Sequence, residues 1–281
     1  MNTLLPGRPV VVGIDGSDHS LDAVRWAARE AVALGIPLII ATATGDRGAL
    51  TPTPWAESRL KASRVASRRH VDRALTIALA DQPRLRAETL VRATAADDLL
   101  IELGGQAALL AVGSRGLGRW GALALGSVSH AVASRCDAPV LVAKGTPATD
   151  IERVVIGHDG TTAADTATAW AMEYAELHRL PVTVVHAVWY AERPATLADD
   201  EATLRVSALV ERLQARHPTL DVAYTAVLDN PVDALLAHTP ETAILVIGTS
   251  GTHRRGASLL GSVSQRIMEK TSGTVVVVPR R

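Results

Sequence analysis

Along the chain, short runs of aliphatic and β-branched residues alternate with longer stretches in which apolar positions recur every three or four residues. The runs "VVVGI" (10–14) and "PLIIATA" (37–43) are bounded by turn residues and have the length of buried strands. Between them, "SLDAVRWAAREAVALG" (20–35) sets Leu21, Val24, Ala28 and Val32 at helical spacing and stops at Gly35. Glycine suits the left-handed position that follows a helix. An Arg-laced helical stretch follows over about 56–80, then a strand "RAETLV", a short helix "AADDLLIELG" and a strand "AALLAVG". A glycine-rich loop, a helix "SVSHAVASR" and a strand "PVLVAK" complete the series. The order βαβαβαβαβ predicts an α/β fold, a parallel doubly wound sheet with helices on both faces.

The series then repeats. Residues 10–43 match 154–188 at a constant offset, so that Asp15 falls on Asp159, Gly16 on Gly160, Trp26 on Trp170 and Pro37 on Pro181. Later in each half the offset is nine residues shorter, and Gly113 falls on Gly248, Gly116 on Gly251, Gly126 on Gly261 and Ser127 on Ser262. The second half reads through an Arg-laced helix (about 198–216), "DVAYTAV", "PVDALLAHT", "AILVIG", a glycine loop, "SVSQRIMEK" and "TVVVVP". The chain is therefore expected to hold two tandem domains, 1–147 and 148–281, joined near "KGTPATDIER" (144–153).

Composition narrows the partners. Lys plus Arg (29) equals Asp plus Glu (29), which leaves no global field to draw nucleic acid or an anionic membrane. Cys136 is the single cysteine, so an intrachain disulfide and a cysteine metal cluster are both excluded. The N-terminus "MNTLLPGRPVVVGID" lacks a basic segment followed by a long apolar one, and no uninterrupted apolar run approaches membrane-spanning length. A cytoplasmic location is the expectation.

Candidate chemistry sits in the glycine loops. "GSRGLGRWGALALGSVSHAV" (113–132) and "GTSGTHRRGASLLGSVSQRI" (248–267) share one pattern: Gly, two residues, Gly, nine residues, Gly-Ser, then a helix. Each glycine alone has an ordinary explanation in a turn or a close contact. Duplication accounts for two copies, but not for both keeping the pattern while Arg115 and Ser250 between the glycines differ. Glycines let backbone amides approach an anion, and the closing Gly-Ser opens a helix whose N-terminus carries a partial positive charge and free N–H donors. Ser127 and Ser262 are expected to donate hydroxyl hydrogen bonds or to act as N-caps, and Ser129 and Ser264 to reach the same anion. No GxxxxGK[ST] motif occurs, so the loop is not a P-loop. A carboxylate facing phosphates would be repelled, so Asp15 and Asp159 are expected at the other end of a ligand. There they would accept from a ribose hydroxyl or an exocyclic amine, or else serve as turn or N-cap aspartates.

On "GIDGS", "GHDGT", the two "LGSVS" loops and the closing "APVLVAK" and "GTVVVVPRR", the chain resembles the universal stress protein family in its tandem two-domain form. The resemblance implies two Rossmann-like domains, each with a five-stranded parallel sheet of order 3-2-1-4-5. It also implies ATP as the bound cofactor, with or without Mg²⁺. By the same resemblance Asp15 and Asp159 meet the adenosine end. Gly113, Gly116, Gly126, Ser127 and Ser129 surround ribose and phosphates, as do Gly248, Gly251, Gly261, Ser262 and Ser264. The family's Gly-x-Pro after strand three is a point of departure: "RATAADD" and "LDNPVDA" stand there, and only the second keeps a proline, Pro231.

Three functions compete. The first is a non-enzymatic ATP-binding module with a sensing or regulatory role in stress, acting on an unidentified protein partner, with pairing of the closing strands within or between chains left open. The second is a slow ATPase or nucleotidyl-transfer enzyme, disfavoured because no Asp or Glu lies in the glycine loop to hold Mg²⁺ or water. The third, a flavin protein, is disfavoured by the scarcity of aromatics. Arg119, Arg254 and Trp120 are read as loop residues, and His130, His158 and His186 as packing or surface histidines without metal-ligand spacing.

Overall fold

The computed structural model describes residues 7–45, 54–116, 125–147, 151–189, 200–249 and 260–280. These fall into two compact units that part after Pro147. The first runs β1 (Val10–Gly13), α1 (Asp18–Leu34), β2 (Leu38–Ala43), α2 (Pro54–Asp81), β3 (Ala87–Arg92), α3 (Ala96–Gly104), β4 (Leu109–Gly113), α4 (Ser127–Arg135) and β5 (Val140–Ala143). The second repeats it with β6 (Arg153–Gly157), α5 (Thr162–His178), β7 (Val182–Ala187), α6 (Glu201–Arg216) and β8 (Val222–Val227). It closes with α7 (Pro231–His238), β9 (Ala243–Gly248), α8 (Ser262–Lys270) and β10 (Val275–Val278).

Within each unit the strands are all parallel, in the order β3-β2-β1-β4-β5 in the first and β8-β7-β6-β9-β10 in the second. The expected 3-2-1-4-5 order is thus found twice. Strands covered on both faces read as continuous aliphatic runs, and Val10, Val11 and Val12 of β1 and Val154, Val155 and Ile156 of β6 are fully buried. The outermost β3 and β8 are only half-buried.

Local sequence sets the helix ends. Ser17 caps α1 by accepting from the Ser20 N–H at 3.2 Å, and Gly35 closes it at φ +68°. In the second unit Thr161 caps α5, and Arg179 takes the corresponding left-handed position at φ +56°. Among the described residues, no helix is long and apolar enough to cross a membrane.

In each unit the chain turns from β1 to β2 on one side and from β4 to β5 on the other. A crevice therefore opens where the carboxyl ends of β1 and β4, or of β6 and β9, lie side by side.

Candidate functional site

In the first unit this crevice is a cleft of about 640 Å³. Its floor is the end of β1 and β4, Gly13 and Gly113, and one wall is apolar, built from Ala41, Ala43, Leu99 and Leu100. The opposite wall is the start of α4, Gly126 to Ser129, with Asp15 and Gly116 beside it. Leu99 and Leu100 of α3 line the cleft although that helix follows Ala95, which makes no side-chain cap bond, rather than the Gly-x-Pro of the resemblance.

The "GIDGS" turn is a compact hydrogen-bonded unit. The Asp15 carboxylate Oδ1 accepts from the Ser17 N–H at 2.9 Å, while Gly16 adopts φ +87°. A β-carbon on Gly16 would strike the His70 ring at 2.6 Å, so α2 closes directly over this turn. Asp15 is thus a turn aspartate, as one of the two sequence readings has it, yet it lines the cleft as well. It does not stand remote from the glycine loop: a β-carbon on Gly116 would collide with its Oδ2.

The glycines of the loop divide by role. Gly113 ends β4 where the backbone of α1 passes, and a β-carbon there would lie 2.7 Å from the His19 carbonyl. Its job is close packing. Gly126 differs, because its β-carbon would meet nothing nearer than 3.5 Å. It is the N-cap of α4 in extended conformation, its own N–H donating to the Ser114 carbonyl at 3.0 Å. Ser127 is therefore the first helical residue and not the cap, which excludes one of its two expected roles and leaves that of hydroxyl donor. With glycine as cap, no cap side chain bonds the first-turn amides of α4, and that turn carries no acidic residue.

Ser129 corrects another. It is buried, and its hydroxyl donates to the Gly113 carbonyl at 2.6 Å, so its single proton is already used. It fixes the start of α4 against the end of β4, and so aims the helix terminus at the cleft.

The described part of the second unit repeats this construction. Asp159 accepts from the Thr161 N–H at 3.0 Å and from its hydroxyl at 2.6 Å. Gly248 would place a β-carbon 3.1 Å from the Ala163 carbonyl, Ser264 donates to the Gly248 carbonyl at 3.0 Å, and Gly261 caps α8 without a side-chain bond. Ser262, like Ser127, opens its helix rather than capping it. Gly251, Arg119, Trp120 and Arg254 lie outside the described residues.

One group of residues escaped the reading of the sequence. His158 follows β6, is buried, and is bonded at both ring nitrogens: Nε2 to Asp165 at 3.0 Å and Nδ1 to the Gly160 N–H at 3.0 Å. An N–H can only donate, so Nδ1 accepts and Nε2 carries the proton. Burial holds its proton affinity below the usual histidine range, opposed by the Asp165 carboxylate. Arg205 of α6 pairs with Asp165 at 3.1 Å and also donates to the Gly160 carbonyl. His186 donates through Nδ1 to the His158 carbonyl at 2.7 Å. The signal was available by aligning the halves: His158, Asp165 and His186 stand where the first half has Ile14, Leu21 and Thr42. Among the described residues no cluster of His, Cys, Asp or Glu is arranged to hold a metal ion. Cys136 is buried and its thiol is pushed up to about 11, mainly by desolvation, as befits a small core residue.

Comparison with known sequences and structures matches the whole of this architecture. A sequence profile described as "Universal stress protein family" matches residues 7–144 and again 150–279. The chain is 29% identical over 284 residues to Universal stress protein Rv2623 of Mycobacterium tuberculosis, covering 95% of each chain. It is also 29% identical over 283 residues to Universal stress protein Rv2005c of the same organism, covering 95% of this chain and 96% of the other. A crystal structure of a universal stress protein from Archaeoglobus fulgidus superposes with a TM-score of 0.77 at 18% identity, over 99% of this chain and 100% of that one. At that identity the likeness is one of fold.

Proposed function

The chain belongs to the universal stress protein family, and on that premise we propose that each of its two domains binds ATP and holds it without turnover. The protein then acts as a sensor or regulator in a stress response by presenting its occupied sites to a protein partner.

One observation carries the reading. A cleft of about 640 Å³ joins an apolar wall to a helix terminus that has glycine as its cap, and so no cap side chain on its first-turn amides, with a carboxylate beside it. Its size falls within the range of small-molecule sites. The chemistry suits an adenine nucleotide: the base packs on Ala41, Leu99 and Leu100, and the phosphates take the N–H groups at the start of α4. Asp15 keeps Oδ1 for the Ser17 amide, while Oδ2 is oriented towards Gly116 and accepts from a ribose hydroxyl. Ser127 adds its hydroxyl at the helix start. A hydrogen bond to a charged partner contributes about 1.5–3 kcal/mol, so a few such donors suffice without a lysine.

The described lining supports retention without hydrolysis. Asp15 is the one carboxylate among the described residues of the cleft, and its turn bond fixes it, which leaves no second group to hold Mg²⁺ and position water together. The test is direct. Protein purified at neutral pH is denatured and the released small molecules are identified by mass spectrometry, before and after hours of incubation with ATP. Released ATP that persists is the expected result. Stoichiometric accumulation of ADP would favour the enzyme, and release of no nucleotide would count against binding.

A further inference from the structure

The two halves share a scaffold, but beside the first loop of each site they differ in a coupled way. In the first domain Ile14, Leu21 and His70 surround the "GIDGS" turn; in the second, His158, Asp165 and Arg205 stand at the matching positions around "GHDGT". Two of these exchanges, Ile14 for His158 and Leu21 for Asp165, replace an apolar side chain by a polar one, and the third sets Arg205 where His70 stands. We propose that His158 is a proton switch that couples nucleotide binding in the second domain, but not in the first, to pH. The proposal rests on the reading of that domain as a nucleotide site.

The geometry specifies how it works. The Gly160 peptide is gripped from both sides: its N–H donates to His158 Nδ1 at 3.0 Å, and its carbonyl accepts from Arg205. Gly160 sits at φ +81° next to Asp159, so this grip sets the turn that presents the Asp159 carboxylate. The other proton of the imidazole is fixed on Nε2 by Asp165. His158 therefore has one place left for an added proton, Nδ1, and that place faces the Gly160 N–H. Protonation converts an acceptor into a donor opposite a donor. The bond is lost and the turn is pushed open.

The charges around the ring hold this balance. Asp165 from α5 and Asp159 from the loop itself favour the protonated form; Arg205 from α6 opposes it and already pairs with Asp165. From β7, His186 donates Nδ1 to the His158 carbonyl, while its Nε2 is buried without a hydrogen-bond partner, 3.8 Å from Asp200, the N-cap of α6. Because burial lowers the affinity of His158 for a proton, the closed turn is favoured above the ordinary histidine value near 6.5. That preference is lost as pH falls through the lowered native value. The first domain has Ile14 at this position, so the acceptor that protonation would remove is absent there, and the ring over its turn is that of His70 from α2.

The test uses the full chain and His158→Asn. The Oδ1 of Asn stands where Nδ1 stood and can still accept from Gly160, but it cannot be protonated. Amide hydrogen exchange, corrected for its intrinsic pH dependence, reports the Gly160 bond, and calorimetry with ATP reports the site. Between about pH 7.5 and about pH 5 the parent chain should lose Gly160 protection by about tenfold, and one of its two ATP equivalents should weaken by a similar factor. His158→Asn should keep both. Protection that does not change with pH in the parent chain, or that changes equally in the variant, overturns the switch. Protection lost with both ATP equivalents unchanged overturns its coupling to the site. If ATP binds at neither pH while protection is still lost, the nucleotide reading fails and the loop transition stands alone.

Discussion

At the scale of single residues, two glycines from one motif should behave in opposite ways. Gly113→Ala puts a β-carbon 2.7 Å from the backbone of α1, and the helix cannot yield without moving β4. Denaturant unfolding should find it destabilised by about 1–3 kcal/mol, with nucleotide content falling only in step with the folded fraction. Gly126→Ala has ordinary clearance of 3.5 Å and φ −62°, so the folded chain should lose less than about 1 kcal/mol. Its methyl group projects at the uncapped terminus, however, and ATP affinity in the first domain should fall at least about tenfold. Equal loss of affinity per folded molecule in both variants would contradict this division. The sequence marks both glycines with the same pattern, because a pattern cannot distinguish a residue that avoids backbone from one that leaves room for a ligand. Ser129 shows the same limit. Its place two residues into a helix fits an anion donor, and only the position of the Gly113 carbonyl reveals that its proton is taken.

At the scale of elements, hydrophobic period and turn chemistry were enough to identify every strand and helix of the described chain in order. The buried aliphatic runs of β1, β4, β6 and β9 permit no other reading, and Gly35 marks the end of α1 unaided. What the pattern could not supply was which residue begins α4 and α8. A Gly-Ser pair offers two caps, and the backbone geometry chooses glycine. The matching end of α5 carries a local conflict: Arg179 adopts φ +56°, which costs an L-residue with a β-carbon about 1 kcal/mol. Arg179→Gly should therefore raise the stability of the second domain by about 0.5–1 kcal/mol, measured as an upward shift of its thermal or denaturant midpoint. An unchanged or lowered midpoint would mean that the arginine side chain makes compensating contacts in the native state. The His158 network was invisible at this scale for a plain reason. A lone histidine after a strand has no periodic signature, and its meaning comes from Asp165 and Arg205 on two other helices.

At the scale of the whole molecule, the chain is one α/β scaffold written twice, with matched packing glycines, matched serine ties and matched glycine caps. The repeat was legible from the aligned blocks alone; the strand order came from family resemblance and is realised in both units. In the proposed function each copy uses its glycine-capped helix terminus to hold a triphosphate. Isothermal titration calorimetry of nucleotide-free, full-length protein with ATP at about pH 7.5 measures this most directly. Saturable heat with two ATP bound per chain is expected, one of the two weakened at least about tenfold by Gly126→Ala. Absence of any binding heat from protein shown to be folded and nucleotide-free would contradict it.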